Sequence, residues 1–271
     1  MNTDKETQLA SSLEKLGRVV IAFSGGVDSS YLLAAAVNTL GKDNVLALTG
    51  ASESYTEEEM NIAKNVASSL DVRHVILPSG EFDDERFVEN SPDRCYYCKK
   101  AFFTEIFARA KAEGFTHVLD GTNADDTHDY RPGSKVAFEL PILSPLRDAG
   151  FSKDDIRRAS KKLRLPTWNK PANPCLASRF PYGERITREG IRMVSGAEAF
   201  IRSLGFVIVR VRHHGKLARI EVPGKDIRKI MKDGIRGAID RRLRELGYTW
   251  VSIDMKGYRM GSLNEALAKK K

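Results

Sequence analysis

Cysteine is scarce in this chain, with three among 271 residues. An odd count that small does not build a disulfide framework. No apolar run approaches the roughly 20 residues that a membrane-spanning helix needs. The opening Met1-Asn-Thr-Asp-Lys-Glu-Thr7 lacks the basic and apolar regions of a secretory signal, so the expected location is cytoplasmic. The Gly-x4-Gly-Lys-Ser/Thr signature of a P-loop is missing as well. There is no internal repeat, and the only low-complexity segment is the Lys269-Lys-Lys271 tail. What remains is the composition of a soluble globular chain, 41% hydrophobic and 30% charged, long enough for one substantial core or two modest ones.

Charge is unevenly distributed along that length. Residues 1–150 carry 15 Lys and Arg against 24 Asp and Glu, whereas residues 151–271 carry 29 against 12. The asymmetry predicts two domains, 1–150 and 151–271, the second facing something anionic. A phosphorylated small molecule, nucleic acid and the acidic first half all meet that description.

The most informative stretch is Ser24-Gly-Gly-Val-Asp-Ser-Ser30, which follows the β-branched run Arg18–Phe23 and opens a helical run at Tyr31. Gly25 and Gly26 at such a turn let backbone N–H groups approach an anion, and the helix dipole favours it there. Ser24, Ser29 and Ser30 add hydroxyl donors. A carboxylate at Asp28 repels bare phosphate but suits a Mg²⁺ that bridges to pyrophosphate. Strands are expected at 44–49, 72–77 and 116–120, and helices at 56–70, 99–114 and 152–163. This β-α-β alternation predicts an α/β domain with a doubly wound parallel sheet and its ligand at the carboxyl ends of the strands. Thr49, Gly121, Asn123 and Asp125 fall at such ends and are expected to line a nucleotide. The proline-punctuated segments 140–146 and 166–174 read as connections.

The remainder reads as a smaller α+β domain with helices at 187–204 and 226–246 and strands at 207–211, 218–222 and 249–253. Arg210 and Arg212 end the first of those strands on one face, a fork suited to phosphate or carboxylate. Cys95 and Cys98 form a Cys-x-x-Cys pair just before a helix, where the dipole favours thiolate. Zinc lacks a fourth ligand in evident spacing, and a redox pair would have no use for Cys175. Three thiolates can also hold a [4Fe–4S] cluster with one open iron.

Taken together, Ser24–Ser30, Arg94-Cys-Tyr-Tyr-Cys-Lys99, Gly121-Thr-Asn-Ala-Asp125, Pro174-Cys-Leu-Ala-Ser-Arg179 and Arg210-Val-Arg-His-His214 resemble the LarE family over essentially the whole chain. These are PP-loop ATP pyrophosphatases acting as sulfur transferases in nickel-pincer nucleotide biosynthesis. The resemblance implies adenylation of a carboxylate of pyridinium-3,5-biscarboxylic acid mononucleotide, with loss of pyrophosphate, and then displacement of AMP by sulfur. It implies ATP and Mg²⁺ as cofactors, and a [4Fe–4S] cluster on Cys95, Cys98 and Cys175, the three-cysteine type of the family. It also implies that Asp28, Cys175, Ser178, Arg179 and Glu198 serve catalysis, that Arg210, Arg212 and Glu221 bind the phosphorylated substrate, and that the chain forms a homo-oligomer supplied by an unidentified sulfide donor. The rival expectation is a PP-loop tRNA thiolase. Against it, no further cysteines are available for zinc ribbons, and the basic residues are not interleaved with an exposed aromatic platform.

Overall fold

Val19, Val20 and Ile21 are all inaccessible to solvent, so the first strand is covered on both sides. Such a strand needs helices above and below, as in a doubly wound sheet. The computed structural model describes residues 3–128, 135–171 and 173–265. Its elements in chain order are α1 (Thr3–Leu16), β1 (Val19–Ala22), α2 (Val27–Leu40), β2 (Val45–Ala51), α3 (Glu57–Ser69), β3 (Arg73–Pro78), the single turn α4 (Glu85–Val88), α5 (Arg94–Ala112), β4 (His117–Leu119), α6 (Val136–Glu139), β5 (Ile142–Leu143), α7 (Pro145–Asp148) and α8 (Lys153–Lys162). They continue with α9 (Arg188–Ser203), β6 (Arg210–His214), β7 (Leu217–Glu221), α10 (Gly224–Ile230), α11 (Asp233–Glu245) and β8 (Trp250–Ile253).

Two compact units emerge, one from residues 1–81 and 93–173, the other from 82–92 and 174–271. The division falls after residue 173 rather than 150, and the second unit takes back a short piece of the first half. Asn90 explains that piece: it is wholly buried, and its side-chain amide donates to the carbonyls of Pro181 at 2.6 Å and Glu184 at 2.9 Å.

The first unit is an all-parallel sheet in the order β3-β2-β1-β4-β5. Strand alternation sends Val19 and Ile21 into one apolar cluster with α1, α2 and α3, and Val20 into another with Phe103 and Ile106 of α5. The order reverses at β1 and β4, which is where an open sheet of this kind has its ligand crevice. The 140–146 connection is in part a strand, because β5 pairs Ile142 and Leu143 with Val118 and Leu119.

The second unit holds a three-stranded sheet, β6-β7-β8, with β6 antiparallel and β8 parallel to β7. Its core gathers Ala197 and Ile201 of α9 with Val211, Ala218, Ile220 and Leu243. Two expectations are corrected here. Strand β6 is Arg210–His214, not 207–211, and Val207 is mostly exposed. The helix expected over 226–246 is two helices, broken where Lys232 turns to extended backbone, so Ile230 and Ile239 reach the same core.

Candidate active site

The loop between β1 and α2 sits at the reversal point. Gly25 has φ +65°, and a Cβ there would lie 2.9 Å from the Ala63 backbone. A glycine is required on both counts. Gly26 caps α2, its N–H turned to Ser24 Oγ at 3.3 Å, and Ser24 Oγ lies 3.1 Å from Ser29 Oγ. The seryl hydroxyls bond within the loop, at a helix N-terminus whose dipole favours an anion. Gly121, after β4, packs so closely on α2 that a Cβ would stand 3.0 Å from Ser29 N.

Asp28, in the first turn of α2, is paired to the ammonium of Lys153, the first residue of α8. The Lys153 backbone N–H donates to Asp125 Oδ2 at 2.8 Å, and Asn123 Oδ1 accepts from Asp125 N at 2.9 Å. A second lysine reaches the loop from the 166–174 segment, where Lys170 Nζ donates to Gly25 O at 3.1 Å. Burial holds that ammonium below the ordinary lysine range, a shift only partly opposed by Glu59 and Glu58. Arg157 of α8 fixes the segment by donating to Trp168 O at 3.3 Å and Lys170 O at 3.1 Å.

Cys95 and Cys98 lie in the first two turns of α5, which begins at Arg94 rather than Lys99, so the pair lies inside the helix and not ahead of it. Three residues apart, they share a helix face. Cys95 is exposed, Cys98 half-buried, and Cys175 half-buried in the second unit, and none of the three is in a disulfide. Among the described residues, no three His, Cys, Asp or Glu side chains gather closely enough to hold a metal ion.

In the second unit, Arg179 and Glu198 are both wholly buried. Glu198 accepts from Arg179 twice, from Arg202 at 2.7 Å and from Val211 N at 2.9 Å. Burial alone would raise the Glu198 carboxyl, but Arg179 and these hydrogen bonds hold it below the ordinary carboxylate range. Arg212 forms two hydrogen bonds to Glu221, at 3.0 and 2.8 Å, and donates to Ser178 O at 2.8 Å. It lines a cavity of about 150 Å³ together with Arg179, Tyr182, His214, Arg219 and Ser262. Arg210 is not among the lining residues. Its guanidinium lies over the Tyr258 ring at 5.5 Å, and burial followed by the charge of Arg179 pushes it down to about 10.

A family model described as NAD synthase matches residues 4–88. An uncharacterised protein of Synechocystis sp. is 39% identical over 269 residues, covering 99% of this chain and 100% of the relative. The pyridinium-3,5-bisthiocarboxylic acid mononucleotide synthase of Lactiplantibacillus plantarum is 40% identical over 265 residues, covering 98% of this chain and 95% of the relative. This chain belongs to that synthase family. A tRNA-specific 2-thiouridylase of Desulforamulus reducens is more distant, at 26% identity over 57% of this chain.

Within this synthase-family fold, Ser24, Gly25, Gly26, Asp28, Ser29, Gly121, Asn123 and Asp125 gather around the α2 N-terminus. Ser30 is in the same turn, but its hydroxyl is buried and has no hydrogen-bond partner among the described residues. Thr49 is buried, its hydroxyl donating to Phe23 O at 2.5 Å and lying 2.8 Å from His74 Nε2. The neighbouring Gly50 seats Phe102, which would stand 3.0 Å from a Cβ. Arg210 and Arg212 do not form one open fork, since only Arg212 borders the cavity. Lys153 and Lys170 are the site residues that the sequence did not single out. Neither belongs to a motif, and only the packing of α8 and the segment after it brings them to the loop.

Proposed function

We propose that this chain is an ATP-dependent sulfur transferase that makes the thiocarboxylate of pyridinium-3,5-bisthiocarboxylic acid mononucleotide. ATP adenylates a substrate carboxylate and pyrophosphate leaves. Sulfur then displaces AMP, a far better leaving group than hydroxide. The observation that carries this reading is the Gly25–Gly26 turn with Asp28 in the first turn of α2, at the sheet's reversal point, in a chain 40% identical to a synthase of that name over 98% of its length.

The chemistry of the donors fits the implied groups. Asp28 offers the hard carboxylate oxygen that Mg²⁺ takes beside substrate phosphates, and it already pairs with one cation, the Lys153 ammonium. Cys95, Cys98 and Cys175 offer the soft thiolates of a [4Fe–4S] cluster, which when bound supplies sulfur at an open iron. The chain's own residues position and neutralise the reactants. Loop N–H groups from Gly25 onward hold the departing phosphates, Lys170 and Lys153 add positive charge, and Arg212 with its cavity receives the substrate's phosphate.

The test is anaerobic turnover of ATP and the biscarboxylic acid nucleotide with sulfide. AMP, pyrophosphate and a product in which sulfur replaces oxygen support the reading. ADP and orthophosphate as main products overturn it. Asp28→Asn should abolish AMP formation while the folded protein persists.

A further inference from the structure

Asp28 is attached to Lys153 in a way that invites exchange. The pair is partly open, the Asp28 side chain 22% and that of Lys153 35% exposed, so a ligand can reach both. A pair this exposed contributes little to stability. Asp28 lies in the first turn of α2, where the helix dipole already favours its charge without the lysine. The Lys153 backbone, by contrast, is tightly fixed. Its N–H is held by Asp125, Ser152 and Asp155 form a capping box around it, and Lys5 donates to both Asp155 Oδ2 at 2.7 Å and Gly150 O at 2.6 Å. A fixed Cα with a four-carbon stem lets the ammonium change partners without moving the helix.

We infer that Lys153 is an exchangeable counter-cation: its ammonium occupies the divalent-cation seat on Asp28 in the empty site and moves to the pyrophosphate end of the nucleotide when the metal arrives. The ammonium thereby keeps Asp28 neutralised before ATP binds. Once the metal takes Asp28, the positive charge is released within reach of the α2 N-terminus, where the departing oxygens become more negative. Lys170 is held on a backbone carbonyl, Gly25 O, and stays on the loop. The proposal rests on the ATP-cleaving reading above, but metal exchange at Asp28 is measured without turnover.

The experiment uses the full chain and Mn²⁺ as the probe. Free Mn²⁺ is titrated by electron paramagnetic resonance without nucleotide, and AMP formation is then followed with MnATP. Lys153→Met should bind Mn²⁺ roughly fivefold more tightly than wild type, since no ammonium must be displaced. The same variant should lose about a hundredfold in kcat/KM for MnATP, on the scale of one lost electrostatic contact. Lys153→Arg should recover part of that rate, and Asp28→Asn should remove the Mn²⁺ site in either background. A merely structural lysine would weaken Mn²⁺ binding and lower the melting temperature together, which overturns the proposal. So does unchanged Mn²⁺ affinity, or a wild-type chain with no Mn²⁺ site that Asp28→Asn removes. If Lys153→Met does not fold, Lys153→Gln makes the same comparison. Failure of wild type to form AMP, with Mn²⁺ exchange intact, would instead count against the ATP-cleaving reading.

Discussion

Arg179 and Glu198, neither with any exposed surface, are joined by two parallel hydrogen bonds of 2.7 and 2.9 Å. The same guanidinium donates to Pro174 O at 2.7 Å and Cys175 O at 3.3 Å, so the pair ties the cysteine segment to α9. Breaking such a pair leaves a charge buried without its partner. Glu198→Ala should therefore destabilise the second unit by about 3–5 kcal/mol. Chemical denaturation checks this. A variant of wild-type stability that loses only turnover would give Glu198 a purely chemical role instead.

Gly25 carries a different kind of constraint. A side chain at φ +65° costs about 1–2 kcal/mol, and the Ala63 backbone leaves no room for a Cβ. Gly25→Ala should push the loop away from α3 and weaken ATP binding at least tenfold, about 1.4 kcal/mol. Isothermal titration with a non-hydrolysable ATP analogue measures it. Gly26, at φ −80°, should tolerate alanine better. Equal losses at the two positions would argue against the steric account.

Arg212 donates to Glu221, Ser178 O and Ser262, all in the second unit, and it borders the cavity. Arg212→Ala removes a cationic wall and leaves Glu221 without its main partner. Binding of the phosphorylated substrate should weaken by about 1.5–3 kcal/mol, the scale of a charged hydrogen bond. ATP affinity should stay within twofold. Fluorescence titration of both ligands separates the two, and a parallel loss of ATP binding would contradict the assignment of Arg212 to the substrate.

Local pattern was legible wherever one element explained itself. The apolar run ending in a Gly-Gly turn announced β1, the loop and α2, and alternation of apolar runs announced the parallel sheet. It failed where distant partners decide. The stretch 207–211 reads as a strand, but β6 is the charged Arg210–His214. Its arginines tolerate burial because Glu198 and Glu221 lie beside them, which no local window reveals. β5 is two residues between prolines, and it is a strand only because β4 is its neighbour. Helix α1 is faint in the sequence although Leu9, Leu13 and Leu16 share a face, since few other apolar residues mark it. Lys153 and Lys170 were invisible for the same reason as β6: a lone lysine acquires meaning only from what packs against it.

Protonation of the second unit should be felt below neutral pH. His213 is buried against Phe180, its Nδ1 3.0 Å from the Tyr248 hydroxyl, and burial followed by the charge of His214 lowers its affinity for a proton. His214 is lowered too, by burial and then by Arg219 and Arg212. The unfolded chain therefore takes up protons first as pH falls. Stability is full above the ordinary histidine range near 6.5 and declines as pH drops through it, levelling once the folded histidines charge. Urea midpoints across that range should fall with pH for wild type and flatten for a His213→Gln, His214→Gln pair. An unchanged slope in the double variant would shift the cause to other groups.

The cysteines give the sharpest division between chemistry steps. In the proposed scheme adenylation uses the α2 N-terminus, Asp28 and the lysines, and no thiol enters it. Sulfur delivery in the proposed scheme needs all three thiolates, because two hold a cubane poorly. Each of Cys95→Ala, Cys98→Ala and Cys175→Ala should lose iron and product formation together, while AMP formation persists. If Cys175 instead surrendered its own sulfur, it alone would be essential. The chain would then lose the mass of H₂S in one turnover, leaving dehydroalanine at position 175. Iron and sulfide analysis of anaerobically prepared protein, followed by intact-mass measurement after one turnover, decides between them. An unchanged mass with repeated turnover under sulfide supports the cluster. Dehydroalanine in an iron-free protein that still makes product would rule it out.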